Sequence, residues 1–145
     1  MMISTKGRYA LRMMIDIAEH GADGLVSVKE VSARQGISVK YMEQIVSTLT
    51  RAGLLRSGRG SGGGYQLTKA PAQYTAGEIL RAIEGKLAPV ACLADETNRC
   101  GRKAYCKALG FWEGLYKTID DYVDSVRLED LLSSASGDGG PGYSI

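Results

Sequence analysis

No run of this chain is apolar for long enough to cross a bilayer, which excludes a helical membrane protein. Its first residues, MMISTKGRYA, lack the apolar core of a secretory signal and enter a charged amphipathic segment at once, so a cytoplasmic location is expected. Histidine occurs once, at His20, far from any cysteine, and there is no Cys–His pair, nucleophile elbow or GxxxxGK[ST] phosphate loop. An enzyme is therefore not expected. Cysteine is scarce and odd in number: the three thiols all fall in one stretch, CLADETNRCGRKAYC, which points away from structural disulfides. What remains, 145 residues with 44% hydrophobic and 23% charged, suits one soluble unit with a sizeable core and short extensions.

Net charge is only +2, but it is unevenly placed. Residues 1–68 hold nine Lys/Arg against five Asp/Glu, and residues 69–145 hold nine against eleven. A basic first half fits a nucleic-acid-binding module, and solvated helix faces could give the same asymmetry. The order of elements favours the module. Thr5 is expected to cap a first helix in which Tyr9, Met13 and Ile17, flanked by Leu11, Met14, Ile15 and Ala18, recur at three- and four-residue steps as far as His20-Gly21. Leu25-Val26 reads as a short extended piece. Ser27 then caps a second helix, VKEVSARQ, with Glu30 in the capping-box position, and Gly36 stops it. Ser38 caps a third, VKYMEQIVSTLTRA, whose Met42, Ile45, Val46 and Leu49 form one apolar stripe before Gly53. Two helices joined by a tight glycine turn make a helix-turn-helix.

The next stretch, LLRSGRGSGGGYQLT, alternates, breaks into a basic glycine-rich tip and resumes with Tyr65 and Leu67, the pattern of a β-hairpin wing. Arg56 and Arg59, with Gly60 and Ser61 at the tip, would favour phosphate or a narrow minor groove. On the third helix Ser38, Lys40, Tyr41, Glu43 and Gln44 are expected to face DNA. Gln44 can pair with adenine through two hydrogen bonds, Lys40 can reach guanine or phosphate, and Glu43 can accept from a cytosine amine. Lys6 and Arg8 can touch the backbone near the start of the first helix.

In the second half Thr75 and Glu78 open a short helix, AGEILRAIEG, closed by Gly85. From about Arg102 a long amphipathic helix is predicted, with Leu109, Trp112, Leu115, Tyr116, Ile119, Tyr122, Val123 and Val126 on one broad face that needs a partner. Arg127 leads into a last short helix, LEDLL, and SSASGDGGPGYSI reads as a flexible Gly/Ser tail.

The stretches STKGRYAL, QGISVKYMEQIVSTL, RAGLLRSGRG, GGGYQL and AGEILRAIEG resemble those of the winged helix-turn-helix transcription regulators that include IscR, NsrR and the cysteine metabolism repressor CymR. The likeness runs from Met2 to about Leu132. It implies a mainly α fold with a small β-wing: a DNA-binding domain over residues 1–85, a cysteine-bearing sensor loop and dimerisation helix over 86–132, and a flexible tail over 133–145. It further implies a homodimer that binds a roughly palindromic operator in double-stranded DNA, with the third helix in the major groove and the wing in the minor groove. Trp112, Leu115, Tyr116, Ile119, Tyr122 and Val123 would form the dimer interface.

In the family's cluster-binding members the loop before the long helix ligates an iron-sulfur cluster through three cysteines. Cys92, Cys100 and Cys106, spaced C-x7-C-x5-C, fall in the matching positions, and the implied cofactor is a 2Fe-2S cluster. Thiolates suit such soft centres. The fourth ligand is unassigned. Leu109 stands where some members place a histidine and Arg8 where others place a carboxylate, which leaves Asp95, Glu96 or an exogenous group. Three other readings stay open: zinc, which meets the same ligand shortage; thiol oxidation, favoured by nearby Arg99, Arg102 and Lys103; and control by a regulatory protein partner or small ligand, with inert thiols.

Overall fold

Ser4, and not the expected Thr5, caps the first helix in the computed structural model, which describes residues 3–60 and 63–134. The Ser4 hydroxyl accepts the Gly7 N–H at 3.0 Å while its own N–H donates to Glu84 Oε2 at 3.2 Å, so one residue both opens the helix and ties it to a later one. Helix α1 (Thr5–His20) buries Ala10, Met13, Met14 and Ile17. Helices α2 (Val28–Gln35) and α3 (Val39–Arg51) start as expected at Ser27 and Ser38, whose hydroxyls accept the N–H groups of Glu30 at 3.1 Å and Tyr41 at 3.2 Å. Between them Gly36 takes a left-handed conformation, φ 68°, and its N–H donates to Ser32 O at 2.9 Å. The α3 stripe of Met42, Ile45, Val46 and Leu49 completes the core with Val31, Ile37 and the α1 methionines.

One polar group sits inside this apolar packing. Asp16 is buried on the inner face of α1, and its carboxylate accepts from Arg34 Nη2 at 2.7 Å, from Arg34 Nε at 3.1 Å and from Gln35 Nε2 at 2.9 Å. Arg12 then donates to both the side chain and the carbonyl of Gln35, at 2.9 and 2.8 Å. The hydrogen bond to Asp16 raises the Arg34 pKa against the opposing effect of desolvation.

Strands β1 (Leu55–Gly58) and β2 (Gly64–Leu67) pair antiparallel in the register Leu55↔Leu67 to Gly58↔Gly64. The expected extended piece before α2 joins them: Val26 and Tyr65 exchange two backbone hydrogen bonds, at 2.9 and 2.8 Å. Two wing glycines are explained by this third segment. A side chain at Gly58 would collide with Leu25, and one at Gly64, φ 145°, would lie 2.9 Å from Val26 O. Ser61 and Gly62 at the wing tip lie outside the described residues, as does the chain from residue 135 onward, which holds most of the expected tail.

Thr75 caps α4 (Ala76–Glu84) through Glu78 N–H at 3.0 Å. The residue before it, Tyr74, is fully buried, and its hydroxyl donates to Leu54 O at 2.8 Å and accepts the Thr68 N–H at 2.8 Å. It locks the base of the wing to the end of α3.

The long helix starts later than the sequence predicts. α5 covers Leu109–Ser125, whereas residues 102–108 form successive turns, with Tyr105 N–H to Arg102 O at 3.0 Å. The reason is that this stretch has nothing to bury: Tyr105 is 80% exposed, and apolar repetition begins only at Leu109. Asn98, the nearest capping side chain, is already engaged with the Cys100 N–H at 2.9 Å. α5 leans on α4 at a close crossing. Arg81 of α4 donates to Asp124 at 2.7 and 3.1 Å and to Asp120 at 2.8 Å, and a Cβ on Gly77 would run into Asp124 and Val123. The hydrogen bond to Asp124 raises the Arg81 pKa, against the opposing effect of desolvation.

After α5 the chain doubles back. Val126 O accepts Ala76 N–H at 2.8 Å, Leu128 N–H donates to Tyr74 O at 3.1 Å, and α6 (Leu128–Ser134) sets Leu128 into the main core beside α1. Tyr74→Phe should lower unfolding stability by about 1–3 kcal/mol, because Leu54 O and Thr68 N–H lose a buried partner. Urea unfolding measures this, and an unchanged midpoint would remove the hydroxyl from any role in holding the wing.

Candidate nucleic-acid interface and cysteine loop

Because Ile45, Val46 and Leu49 point inward, Lys40, Glu43, Gln44, Ser47 and Arg51 lie exposed on the outer side of α3. Ser38 spends its acceptor on the Tyr41 N–H and keeps its O–H for an outside partner. Tyr41 differs from expectation. It is half-buried, its ring edge-on to Tyr9 at 5.7 Å between centroids, and Arg12 covers the other ring at 5.4 Å, so Tyr41 can offer at most its rim. Lys6 stands beside α3, its Nζ 3.5 Å from Thr48 Oγ1, and Arg8 is exposed two residues further along α1.

Between α2, α3 and the wing runs an open groove of about 810 Å³, lined by Ser27, Lys29, Glu43, Ser47, Arg51, Ser57 and Tyr65 among others. Arg56, Arg59 and Gly60 are exposed on the wing that forms its far wall. Sequence reasoning passed over Lys29 and Ser47. The signal for Ser47 was available, since residues 40, 44, 47 and 51 repeat at helical spacing on the face opposite the apolar stripe. Lys29 needed the tertiary fold.

Among the described residues none of Lys29, Lys40, Arg51, Arg56 and Arg59 forms an ion pair, whereas Arg34, Lys69, Arg81 and Lys117 elsewhere each hold a carboxylate. Unpaired cations around a groove beside a helix-turn-helix are suited to a phosphate backbone, which rewards each of them by counterion release.

The three cysteines lie between α4 and α5. Cys92 is half-buried in a single helical turn at Ala91–Leu93, and Cys100 and Cys106 are exposed; all three are free thiols. Arg102, Tyr105, Lys107 and Ala108 surround a hollow of about 560 Å³ at Cys106. Soft thiolate donors fit an iron-sulfur centre by their chemistry. Their placement does not assemble one: among the described residues no three His, Cys, Asp or Glu side chains gather closely enough to hold a metal. His20 is turned to its own helix, its Nδ1 2.9 Å from Asp16 O.

No residue of α5 is buried. Phe111 and Tyr122 are 66% and 67% exposed, and with half-buried Leu115 and Ile119 they form an uncovered stripe away from α4. Phe111, which packs edge-on against Trp112 at 4.9 Å, was missed from the sequence although it stands four residues before Leu115. Val123 and Tyr116 lie toward the other side, Val123 against Gly77 and Tyr116 beside Leu93.

The family model of Rrf2, described as iron-dependent transcriptional regulators, matches residues 3–134. This chain belongs to the Rrf2 family. Among Rrf2 relatives, it is 39% identical to Protein rrf2 of Nitratidesulfovibrio vulgaris, over 94% of this chain and 90% of that protein. It is 40% identical to the transcriptional regulator CymR of Bacillus subtilis, over 95% and 94%. Among solved structures, CymR of B. subtilis superposes with a TM-score of 0.77 at 39% identity, covering 94% of this chain and 99% of that one. IscR of T. potens superposes with a TM-score of 0.77 at 35% identity, covering 99% and 95%. The expected winged-helix architecture is therefore the family's, and these Rrf2 relatives are transcriptional regulators rather than enzymes. Among the described residues no helix is long and apolar enough to cross a membrane.

Proposed function

We propose that this Rrf2-family regulator acts as a homodimer on a roughly palindromic operator, and that Cys92, Cys100 and Cys106 make the loop beside the dimer helix a sensor of iron-sulfur or redox status. The observation that carries the dimer is α5 itself: seventeen residues, none buried, with Phe111 and Tyr122 largely open to water. Covering such side chains is worth roughly 1.5–3 kcal/mol each, and the same stripe on a second copy is a self-complementary cover. Residues 1–85 would read DNA and residues 86–132 would sense and dimerise. In this arrangement α3 presents Gln44 and Lys40 to base edges in the major groove, Glu43 discriminates by accepting from a cytosine amine or repelling phosphate, and Arg59 enters the minor groove.

A cluster, when bound, would supply a redox-labile centre that orders the loop. This chain's own part is to provide three thiolates on a segment that has to close around such a group, since the thiols stand apart without it. A second reading is thiol oxidation, and the exposed free thiols of Cys100 and Cys106, close in sequence to Arg99, Arg102, Lys103 and Lys107, favour it.

Gln44→Ala should relax base preference at one position of each half-site, at about 1–3 kcal/mol, while Arg59→Ala should weaken binding to many sequences and flatten its salt dependence. Binding-site selection and salt titration measure the two, and unchanged profiles would remove α3 or the wing from the DNA. Ile119→Asp should convert the dimer to monomer, since it places an unpaired charge in the proposed interface. A folded, unchanged dimer in sedimentation would take that helix out of it. Protein purified without oxygen should carry iron and sulfide that each single Cys→Ala variant loses. If no iron is present, and two cysteines govern DNA binding according to oxidant while the third is dispensable, the cluster gives way to the thiol switch.

A further inference from the structure

We propose that Arg81 is a positioning residue for operator architecture: by clamping Asp120 and Asp124 it fixes the angle between the reading head and the dimer helix, and so the spacing between half-sites that the protein accepts. The inference rests on the homodimer reading above. α5 is bonded to its own reading head near its C-terminal end. Its C-terminus is tied by backbone bonds from Val126 and Leu128 to the segment around α4's cap, and within the last two turns of the helix Arg81 holds both carboxylates, at 2.7, 2.8 and 3.1 Å. Gly77 allows α4 and α5 to approach so closely that a Cβ there would strike Asp124. Beyond Asp120 toward Leu109, the helix has no buried residue to anchor it.

That geometry is a lever. From the clamp to Leu109 the helix runs about 16–22 Å, so a tilt of roughly 10° at the clamp moves its far end by about 3–4 Å, comparable to the ~3.4 Å rise of one base pair. A guanidinium that donates to two carboxylates one turn apart resists such a tilt, because rotation in either direction lengthens one of its bonds. Arg81 bonds Asp120 and Asp124 of α5 and not the exposed α3 residues assigned to base reading, so the clamp can govern where the two heads stand without changing what each one reads.

The test is selection from a pool of random-sequence DNA duplexes long enough to hold two half-sites, with sedimentation of each protein alongside. Wild-type dimer should select paired half-sites at one dominant spacing. Arg81→Met should remain dimeric and select the same half-site sequence. Its preference for the dominant spacing over spacings one base pair shorter or longer should fall by at least about fivefold. The Asp120→Asn, Asp124→Asn double variant releases the same guanidinium from the other side and should behave alike, and it decides the matter if Arg81→Met does not fold. A folded dimeric variant with the wild-type spacing profile overturns the clamp and leaves the dimer reading standing. A wild-type protein that is monomeric, or that selects only single half-sites, overturns both.

Discussion

The buried carboxylate of Asp16 constrains the whole reading head. A charge withdrawn from water in an apolar core is tolerated only where donors are waiting for it, and Asp16 receives them from Arg34 and Gln35 on the last turn of α2. Because the pairing links the late part of α1 to the end of α2, it sets the angle between those helices. α3 follows α2 after a turn of only three residues, so its direction is inherited from the same contact. Replacing such a pair with apolar side chains often costs little stability, since burial of Met13, Met14, Met42, Ile45 and Leu49 supplies most of it. What the pair contributes is direction, which apolar packing alone specifies less sharply.

The wing depends on a different economy of space. Leu25 and Val26 come up against the hairpin so tightly that Gly58 and Gly64 leave them room, and the resulting third segment turns a two-stranded ribbon into a braced one. Tyr74 closes the other end by holding Leu54 O and Thr68 N–H together. Arg59 is therefore carried on a hairpin with a fixed base, and Lys29 of α2 and Arg51 of α3 line the groove beside that hairpin.

Local chemistry was the legible part of the chain. Ser27, Ser38 and Thr75 cap where a hydroxyl precedes an apolar repeat, and the α3 stripe follows helical spacing, because caps and stripes are set by residues within four positions of each other. The misses share the opposite character. Ser4 caps in place of Thr5 and is tied to Glu84, eighty positions away, and Asp16 finds Arg34 and Gln35 only when two helices cross. The start of α5 was misplaced because charged residues 102–107 have adequate helix propensity but no surface to cover. Family resemblance located the cysteine loop, whereas nothing in its spacing reveals that the three thiols do not gather at one point among the described residues.

The return of the chain at Leu128 gives the second half an unexpected topology. Ile79 of α4 and Leu128 both belong to the main core, so the chain leaves that core after α4 and re-enters it at Leu128. The cysteine loop and α5 are thus an insertion between two parts of one folding unit, not an appendage trailing behind it. A closed excursion of this kind has both its ends pinned, and restricting its freedom changes the closure entropy borne by the body that holds them. Both seams, after α4 and before α6, belong to that body, and it cannot be cut free of the cysteine loop and α5 without losing Leu128 from its own core.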